Sequence, residues 1–216
     1  MINTRHALPS ISYLALGDSY TIGEAVDSTQ SWPLQLADTL REAYNLQVNK
    51  PTIIATTGWT TNQLQRGIEE AGLEEKYELI SLLIGVNNQY QGYEFKQFEE
   101  EYETLIKWAI QQSVYGASGI FAVSIPNYGV TPFGQTRGED AIRSDLLAYD
   151  AKAREICQRF DIPFFDITPL SELAKNNSEL IAEDQLHPSG LQYAEWVRSF
   201  SSHVADLISV WPGYSR

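Results

Sequence analysis

The chain has 216 residues, of which 43% are hydrophobic and 12% are aromatic. Such a composition is typical of a globular protein and excludes an intrinsically disordered chain. The net charge of -13 repels phosphate backbones and anionic lipid surfaces, and no basic cluster offsets it, so we expect no nucleic-acid partner.

Segments that would direct the protein to a membrane or an oxidising compartment are not evident. No apolar run approaches the ~20 residues that span a bilayer, so we expect no membrane insertion. The stretch from Met1 to His6 lacks the basic-then-apolar order of a signal peptide. The single cysteine, Cys157, excludes an internal disulfide and is expected to be a small core residue. We therefore expect a cytoplasmic protein, unless a leader has been removed; the oligomeric state stays open.

Short apolar runs alternate with longer segments of helical period, which predicts βαβ units and a parallel sheet. A helix is expected after Trp32-Pro33, with Leu36 and Leu40 among its inward residues. The predicted strands are Ile11 to Leu16, Ile53 to Ala55, Leu79 to Ile84, Ile120 to Val123, and a short fifth strand at Phe164-Phe165 and Ile167.

Two further helices are predicted from periodicity, at Phe95 to Ile110 and at about Glu139 to Phe160. The glutamates at positions 99, 100, 101 and 103 are expected to form the solvated face of the first of these helices rather than a cation site. No internal repeat, low-complexity tract or linker divides the chain, so residues 1–216 are predicted to form a single domain.

Ligands of open parallel sheets bind outside the carboxyl ends of the strands, so the residues that follow each strand are the candidates for chemistry. They are Gly17 to Ser19, Gly58-Trp59, Gly85 to Asn88, and the loop from Pro126 to Gly138. Ser19 follows a predicted tight turn that would expose its hydroxyl at the rim of the sheet. A serine hydroxyl becomes a good nucleophile only when a base removes its proton.

The candidate bases are the three histidines, His6, His187 and His203. His6 lies at the terminus and His203 in the last predicted helix. Pro188 disfavours helical backbone at His187, so that imidazole is predicted to lie in an extended turn. Ser189 is expected to cap the following helix and to form a capping box with Gln192.

An aspartate stands three residues before His187, at Asp184. At that spacing it can curl back to accept the imidazole N–H, which would fix the tautomer and stabilise the imidazolium. Each short pattern is weak by itself, because Gly-Asp-Ser and Asp-x-x-His both occur by chance in chains of average composition. Their conjunction indicates a serine hydrolase with Ser19, His187 and Asp184 as its catalytic residues.

At this point the chain resembles the SGNH, or GDSL-like, hydrolase family, whose sequence blocks occur here in order. Those blocks are Gly17-Asp18-Ser19-Tyr20, Gly58, Gly85-Val86-Asn87-Asn88, and Asp184-Gln185-Leu186-His187-Pro188. The resemblance implies a three-layer αβα, flavodoxin-like fold with a five-stranded parallel sheet. It also implies an oxyanion hole formed by the backbone N–H groups of Ser19 and Gly58 and the side-chain amide of Asn87.

Physical reasons accompany both oxyanion assignments. A glycine at position 58 lets the backbone approach a substrate oxygen closely, and an asparagine offers an uncharged donor at position 87. Asn88 departs from the family, which usually has aspartate there. The departure leaves it open which of the two asparagines faces the substrate.

Other catalytic classes have no sequence motif here. The chain lacks a Gly-x-Ser-x-Gly elbow, a Gly-x-Gly-x-x-Gly loop, a phosphate-binding Gly-Lys-Ser/Thr loop and clustered zinc ligands, so no cofactor or metal is expected. We predict a serine esterase that hydrolyses small or short-acyl esters. Two alternatives remain: an acyltransferase with the same triad, and a catalytically silent carbohydrate- or lipid-binding module. Tyr20, Trp59 and Tyr90 are candidate pocket walls or core residues.

Overall fold

The computed structural model describes residues 9–214 of the chain. Five parallel strands form one sheet in the order β2-β1-β3-β4-β5. This order is that of flavodoxin-like doubly wound folds, so the predicted fold class is confirmed. The strands are β1 (Tyr13–Gly17), β2 (Thr52–Ala55), β3 (Leu79–Leu83), β4 (Ile120–Val123) and β5 (Phe164–Phe165).

Helices cover both faces of the sheet. They are α1 (Ser19–Ile22), α2 (Trp32–Tyr44), α3 (Thr61–Ala71), α4 (Val86–Tyr90), α5 (Phe95–Gln112), α6 (Pro132–Gln135), α7 (Glu139–Arg159), α8 (Thr168–Glu172) and α9 (Gly190–Ser209). Short 3₁₀ turns occupy Ser28–Gln30, Gly116–Gly119, Tyr128–Val130, Leu173–Lys175 and Ser178–Leu180.

The direction of each crossover decides which face its helix covers. The connection from β1 to β2 runs opposite to the later ones, so right-handed crossovers place α2 on one face and α3, α5 and α7 on the other. Accordingly α2 packs against α9, while α5 packs against α3 and α7. The three layers enclose a core in which β1 and β3 are buried along their whole length.

Most predicted elements lie within one or two residues of their observed bounds. The first strand begins later than predicted, because Ile11 forms only an isolated bridge with Val48. The sequence reading missed α3, although its capping box carries a signal: Gln63 accepts the Thr60 backbone N–H at 2.9 Å. Cys157 is fully buried, as predicted for a small core residue, and burial raises the pKa of its thiol to about 12.

The glutamates of α5 form the predicted solvated face only in part, because Glu100 is exposed and the other three are half-buried. Glu99 pairs with Lys152 and Glu103 pairs with Arg159, both on α7, while Glu101 accepts the Thr61 hydroxyl. The acidic run therefore connects α5 to its two neighbouring helices.

Among residues 9–214, no helix combines the length and the apolarity that crossing a bilayer requires.

Candidate active site

Ser19 lies at the start of α1, directly after β1. Gly17 makes this position possible, because a Cβ there would clash with the Thr21 side chain and the Leu83 carbonyl oxygen. Asp18 caps the helix by accepting the Tyr20 N–H at 3.1 Å. The expectation of an exposed turn hydroxyl was wrong: Ser19 begins a helical turn and is only 4% exposed.

The Asp18 carboxyl is fully buried beside the nucleophile candidate. Burial raises its pKa to about 7, against the lowering effect of the hydrogen bond from the Tyr20 N–H. Its second oxygen, Oδ2, has no hydrogen-bond partner among residues 9–214. Ionised Asp18 therefore lowers the stability of the folded protein even though it caps α1, because a carboxylate at this buried position is poorly solvated.

His187 lies in the turn between α8 and α9 that the sequence placed it in. Asp184 Oδ1 accepts the backbone N–H groups of Leu186 at 3.0 Å and His187 at 2.9 Å, which folds the turn back on itself. Asp184 Oδ2 lies 2.5 Å from His187 Nδ1. The Asp-x-x-His spacing thus produces the contact that was predicted from it.

Both ends of this turn are anchored. The Ala182 N–H donates to the His187 carbonyl at 2.8 Å, and Gln185 adopts the left-handed conformation, with φ of 64°, that closes the turn. Ser189 caps α9 by accepting the Gln192 N–H at 3.3 Å. The predicted capping box does not close, because the Ser189 N–H donates to the Leu180 carbonyl instead.

The ionisation of Asp184 follows from these contacts. Partial burial raises its pKa, but the hydrogen bonds from the His187 ring, the His187 N–H and the Leu186 N–H outweigh burial, so the pKa lies below its usual value. Asp184 therefore stays ionised through neutral pH, and an imidazolium at His187 would be stabilised by it.

The first and last turns of the fold meet at the serine. His187 Nε2 lies 3.0 Å from Ser19 Oγ, and the His187 ring is nearly buried beside Tyr20, with ring centroids 5.4 Å apart. His203 is exposed on α9 against Phe165, and His6 lies outside the described residues. Among the described histidines, only His187 contacts Ser19.

Gly58 follows β2 and has a φ of 82°, a backbone conformation that favours glycine. Steric crowding is not the reason for a glycine here, because a Cβ at this position would meet no heavy atom within 4 Å. Its carbonyl accepts Gln91 Nε2 at 3.1 Å. None of the hydrogen bonds within residues 9–214 uses the Gly58 N–H, and Gly58 is not among the residues that line the pocket containing Ser19.

The two asparagines of α4 point in different directions. Asn87 lines the pocket, and its Nδ2 donates one hydrogen to the Trp59 carbonyl at 3.0 Å, which leaves the second hydrogen for another acceptor. Asn88 is fully buried; its Oδ1 accepts the Thr61 N–H at 3.1 Å and its Nδ2 donates to Thr61 Oγ1 at 2.7 Å. Asn87 is thus the asparagine that faces the pocket, whereas Asn88 holds the start of α3.

The pocket beside Ser19 has a volume of about 180 Å³ and is mainly apolar. Tyr20 and Tyr90 line it as suggested, whereas Trp59 packs against Gly67 instead. The sequence reading missed Val86 and Leu186, although each adjoins a predicted motif residue, as well as Tyr128. The lining residues are Ser19, Tyr20, Val86, Asn87, Tyr90, Tyr128, Phe133, Leu186 and His187.

Metal chemistry has no ligand set in the described part of the chain, where no three His, Cys, Asp or Glu side chains are grouped to hold an ion.

Comparison with known proteins gives one family and a set of structural neighbours. The model of the GDSL-like Lipase/Acylhydrolase family matches residues 15–195. No curated protein sequence gives a significant match.

Similar solved structures include two esterases and the protein TesA. The acetylxylan esterase Axe2 from Geobacillus stearothermophilus is 18% identical, with a TM-score of 0.71 over 92% of this chain and 96% of that chain. TesA is 14% identical, with a TM-score of 0.69 over 91% and 99%. The psychrotrophic esterase EstA from Pseudoalteromonas sp. is 14% identical, with a TM-score of 0.64 over 90% and 96%. At these identities the likeness establishes the fold.

The family match spans most of the chain, from β1 into α9. The chain therefore belongs to the GDSL-like lipase/acylhydrolase family, as a serine esterase that hydrolyses ester bonds.

Proposed function

We propose that this chain hydrolyses short-acyl carboxylic esters with Ser19 as nucleophile, His187 as general base and Asp184 as the group that orients the base. The observation that supports this assignment is the continuous contact from Ser19 Oγ to His187 Nε2, at 3.0 Å, and from His187 Nδ1 to Asp184 Oδ2, at 2.5 Å. A nucleophile, a base and an orienting carboxylate within hydrogen-bond reach define this chemistry.

In the first half-reaction, Ser19 Oγ attacks the ester carbonyl carbon while His187 Nε2 takes its proton. Asp184 holds the Nδ1 proton and stabilises the imidazolium. The tetrahedral intermediate then expels the alcohol, which leaves with the proton from His187. In the second half-reaction water attacks the acyl-serine while His187 takes a proton from the water. The bond to Ser19 Oγ then breaks, Ser19 Oγ regains the proton from His187, and the carboxylic acid is released.

Negative charge develops on the carbonyl oxygen during both attacks. We assign its stabilisation to the N–H groups of Ser19 and Gly58 and to the Asn87 amide, whose free hydrogen is oriented by the bond to the Trp59 carbonyl. Donors held in place before reaction cost little reorganisation when the charge appears. The support is the position of Asn87 on the pocket wall next to Ser19.

The pocket sets the size of the acyl group. Its volume of about 180 Å³ is close to that of an engineered cavity of about 150 Å³ that holds benzene, so a short acyl chain fits inside it, whereas a longer chain extends beyond its open mouth. Axe2 carries the description of an acetylxylan esterase, which agrees with a short acyl group here. Val86, Phe133 and Leu186 supply the apolar wall that such a group needs.

Replacing Ser19 tests the nucleophile. Ser19→Ala is expected to abolish ester hydrolysis and fluorophosphonate labelling, because no other described serine hydroxyl contacts His187. The thermal midpoint should stay within a few degrees of wild type, since a hydroxyl and not an apolar contact is lost. Ser124→Ala, at another buried serine near a strand end, is the matched control and should retain labelling. Labelling on a different serine would refute the assignment.

The base is tested by pH and by His187→Ala. We expect kcat/KM to be lost at acidic pH, because a protonated imidazole cannot accept the serine proton. The lowered pKa of Asp184 adds no step near neutral pH, since that carboxylate is already ionised there. His187→Ala should lose about as much kcat as Ser19→Ala, and the double variant should lose no more. His203→Ala is the control; a loss of similar size there would contradict the assignment.

The pocket size predicts a chain-length preference. Across p-nitrophenyl acetate, butyrate, hexanoate and octanoate, kcat/KM should be highest for the two shortest esters and fall by about tenfold or more at octanoate. Phe133→Ala should raise the relative rate of the longer esters by opening the wall, whereas Phe95→Ala, outside the pocket, should not. A preference for octanoate in the wild-type protein would exclude the proposed fit.

The two asparagines should separate activity from stability. Asn87→Ala is expected to lower kcat by about 10²–10³-fold with little change in KM. Asn88→Asp should leave kcat within a few-fold but lower the free energy of unfolding by about 2 kcal/mol. The reason is a hydrogen-bond chain: Asn88 Nδ2 donates to Thr61 Oγ1, which donates to Glu101, and an aspartate at position 88 would leave two carboxylates competing for one hydroxyl.

A second substitution sharpens this test. Glu101→Gln supplies an amide donor to Thr61 Oγ1, so that hydroxyl can turn and donate to the aspartate of Asn88→Asp. The double variant should therefore regain most of the stability that Asn88→Asp loses, measured by urea unfolding, with Glu101→Gln alone as reference. If Asn88→Asp damaged kcat and Asn87→Ala did not, the assignment of the third sequence block would be off by one residue.

A further inference from the structure

Arg137 stands at the rim of the pocket without a polar partner. Its guanidinium carbon lies 4.9 Å from the ring centroid of Tyr90 and 4.6 Å from that of Phe133, and both rings line the cavity that contains Ser19. No hydrogen-bond acceptor within residues 9–214 contacts its side chain. Every other arginine of that range has a carboxylate or amide oxygen within hydrogen-bond or ion-pair distance: Arg41, Arg66, Arg143, Arg154, Arg159 and Arg198.

The backbone below Arg137 is held in place. The Arg137 N–H donates to the Gly134 carbonyl at 2.8 Å in the last turn of α6, and the Phe133 N–H donates to the Gln185 carbonyl at 3.2 Å. The second bond ties α6 to the turn that carries Asp184 and His187. Arg137 therefore projects from a segment braced against the reacting groups, and the two rings restrict its side chain further.

The charges around Arg137 do not neutralise it at close range. Asp145 is near enough to Tyr128 to raise the pKa of that phenol, after burial and Tyr90, but its carboxylate accepts Gln89 Nε2 at 3.1 Å and makes no ion pair with Arg137 in the described part of the chain. Glu139 pairs with Lys175. In a protein of net charge -13, one cation thus stands at the pocket rim with its N–H donors unused.

From this arrangement we propose that the ester substrate carries a carboxylate and that Arg137 binds it, which makes Arg137 a specificity-determining residue of the proposed esterase site. A guanidinium presents paired N–H donors in a plane that matches a carboxylate, and stacking on Tyr90 and Phe133 fixes that plane before binding, so little side-chain entropy is lost. The remainder of the substrate lies against the apolar wall, with its carbonyl at Ser19. This inference rests on the proposed function.

The test uses two pairs of substrates that differ only by methylation of a carboxylate. One pair is the p-nitrophenyl monoester of glutaric acid and its methyl ester, which places the charge on the acyl side. The other is p-acetoxybenzoate and its methyl ester, which places it on the leaving group. The ratio of kcat/KM for the charged over the neutral member is measured for wild type, Arg137→Gln, Arg137→Lys and the control Arg143→Gln.

We expect Arg137→Gln to lower this ratio by about tenfold or more in one of the two pairs, mainly through KM, because a charge-assisted bidentate contact is lost. Arg137→Lys should retain part of the ratio, since the charge remains without the planar fork. The control Arg143→Gln should leave the ratio unchanged, because Arg143 pairs with Glu172. Raising NaCl to about 0.5 M should reduce the wild-type ratio more than that of Arg137→Gln.

Equal losses on charged and neutral esters in Arg137→Gln would overturn the inference, because they would mean that the side chain only supports the two rings. An unchanged ratio in both pairs would overturn it as well. Neither result touches the proposed function, which fails instead if Ser19→Ala still hydrolyses the neutral members of the pairs.

Discussion

The hydrogen bond between Ser19 and His187 joins two turns that are 168 residues apart in the chain. Neither residue can form it without the parallel sheet, because only that arrangement brings the carboxyl end of β1 to the same edge as the connection that precedes α9. The approach is close: Gly17 leaves room for the Thr21 side chain of α1 and the Leu83 carbonyl of β3, and the 182–188 turn brings the imidazole to Ser19. One hydrogen bond between such distant residues does not by itself order the two turns. Its geometry therefore depends on the other contacts that hold each turn in place.

A second set of hydrogen bonds holds the remaining walls of the site. From α4, Asn87 donates to the Trp59 carbonyl and Asn88 binds Thr61, and Gln91, directly after α4, donates to the Gly58 carbonyl. These bonds connect the segment after β3 to the segment after β2. The block Gly85 to Asn88 therefore holds the backbone around Gly58 in position. The two donors that we propose for the oxyanion, the Gly58 N–H and the free Asn87 hydrogen, therefore belong to one hydrogen-bonded unit, the kind of support that preorganised donors need.

The site also shows where stability is given up. Burial raises the pKa of Asp18, next to Ser19, and of Asp150, which accepts the Ile125 N–H after β4, to about 7 in each case. Ionisation of either carboxyl opposes folding, since a group whose pKa is raised on folding costs stability as the pH rises above its unfolded value. Asp18 follows β1, whereas Asp150 lies on α7 and reaches the end of β4, and each carboxylate accepts a backbone N–H that no regular structure satisfies.

The amino-acid sequence by itself determined the fold class, the five strands and the pairing of Asp184 with His187. Apolar runs of strand length report burial directly, and a contact three residues apart is decided by local turn geometry. The Ser189 cap of α9 was also predicted, because its signal is local, whereas the equally local capping box of α3 was missed. The bounds of β1 and the open half of the Ser189 capping box were not determined this way, because the carbonyls of Gln47 and Leu180, in other segments, accept the N–H groups of Ile11 and Ser189.

Only the tertiary structure decided which side chains share the pocket. Asn87 and Asn88 are equivalent in sequence, and their separate directions depend on Trp59 and Thr61 across the sheet edge. Likewise, α5 glutamates that look like a solvated face pair with α7, and Arg137 meets Tyr90 only because α6 packs against the turn of His187. A contact between two distant segments leaves no periodic pattern in the sequence of either segment. Which residues meet is therefore decided by the packing of the whole fold and not by any local stretch of sequence.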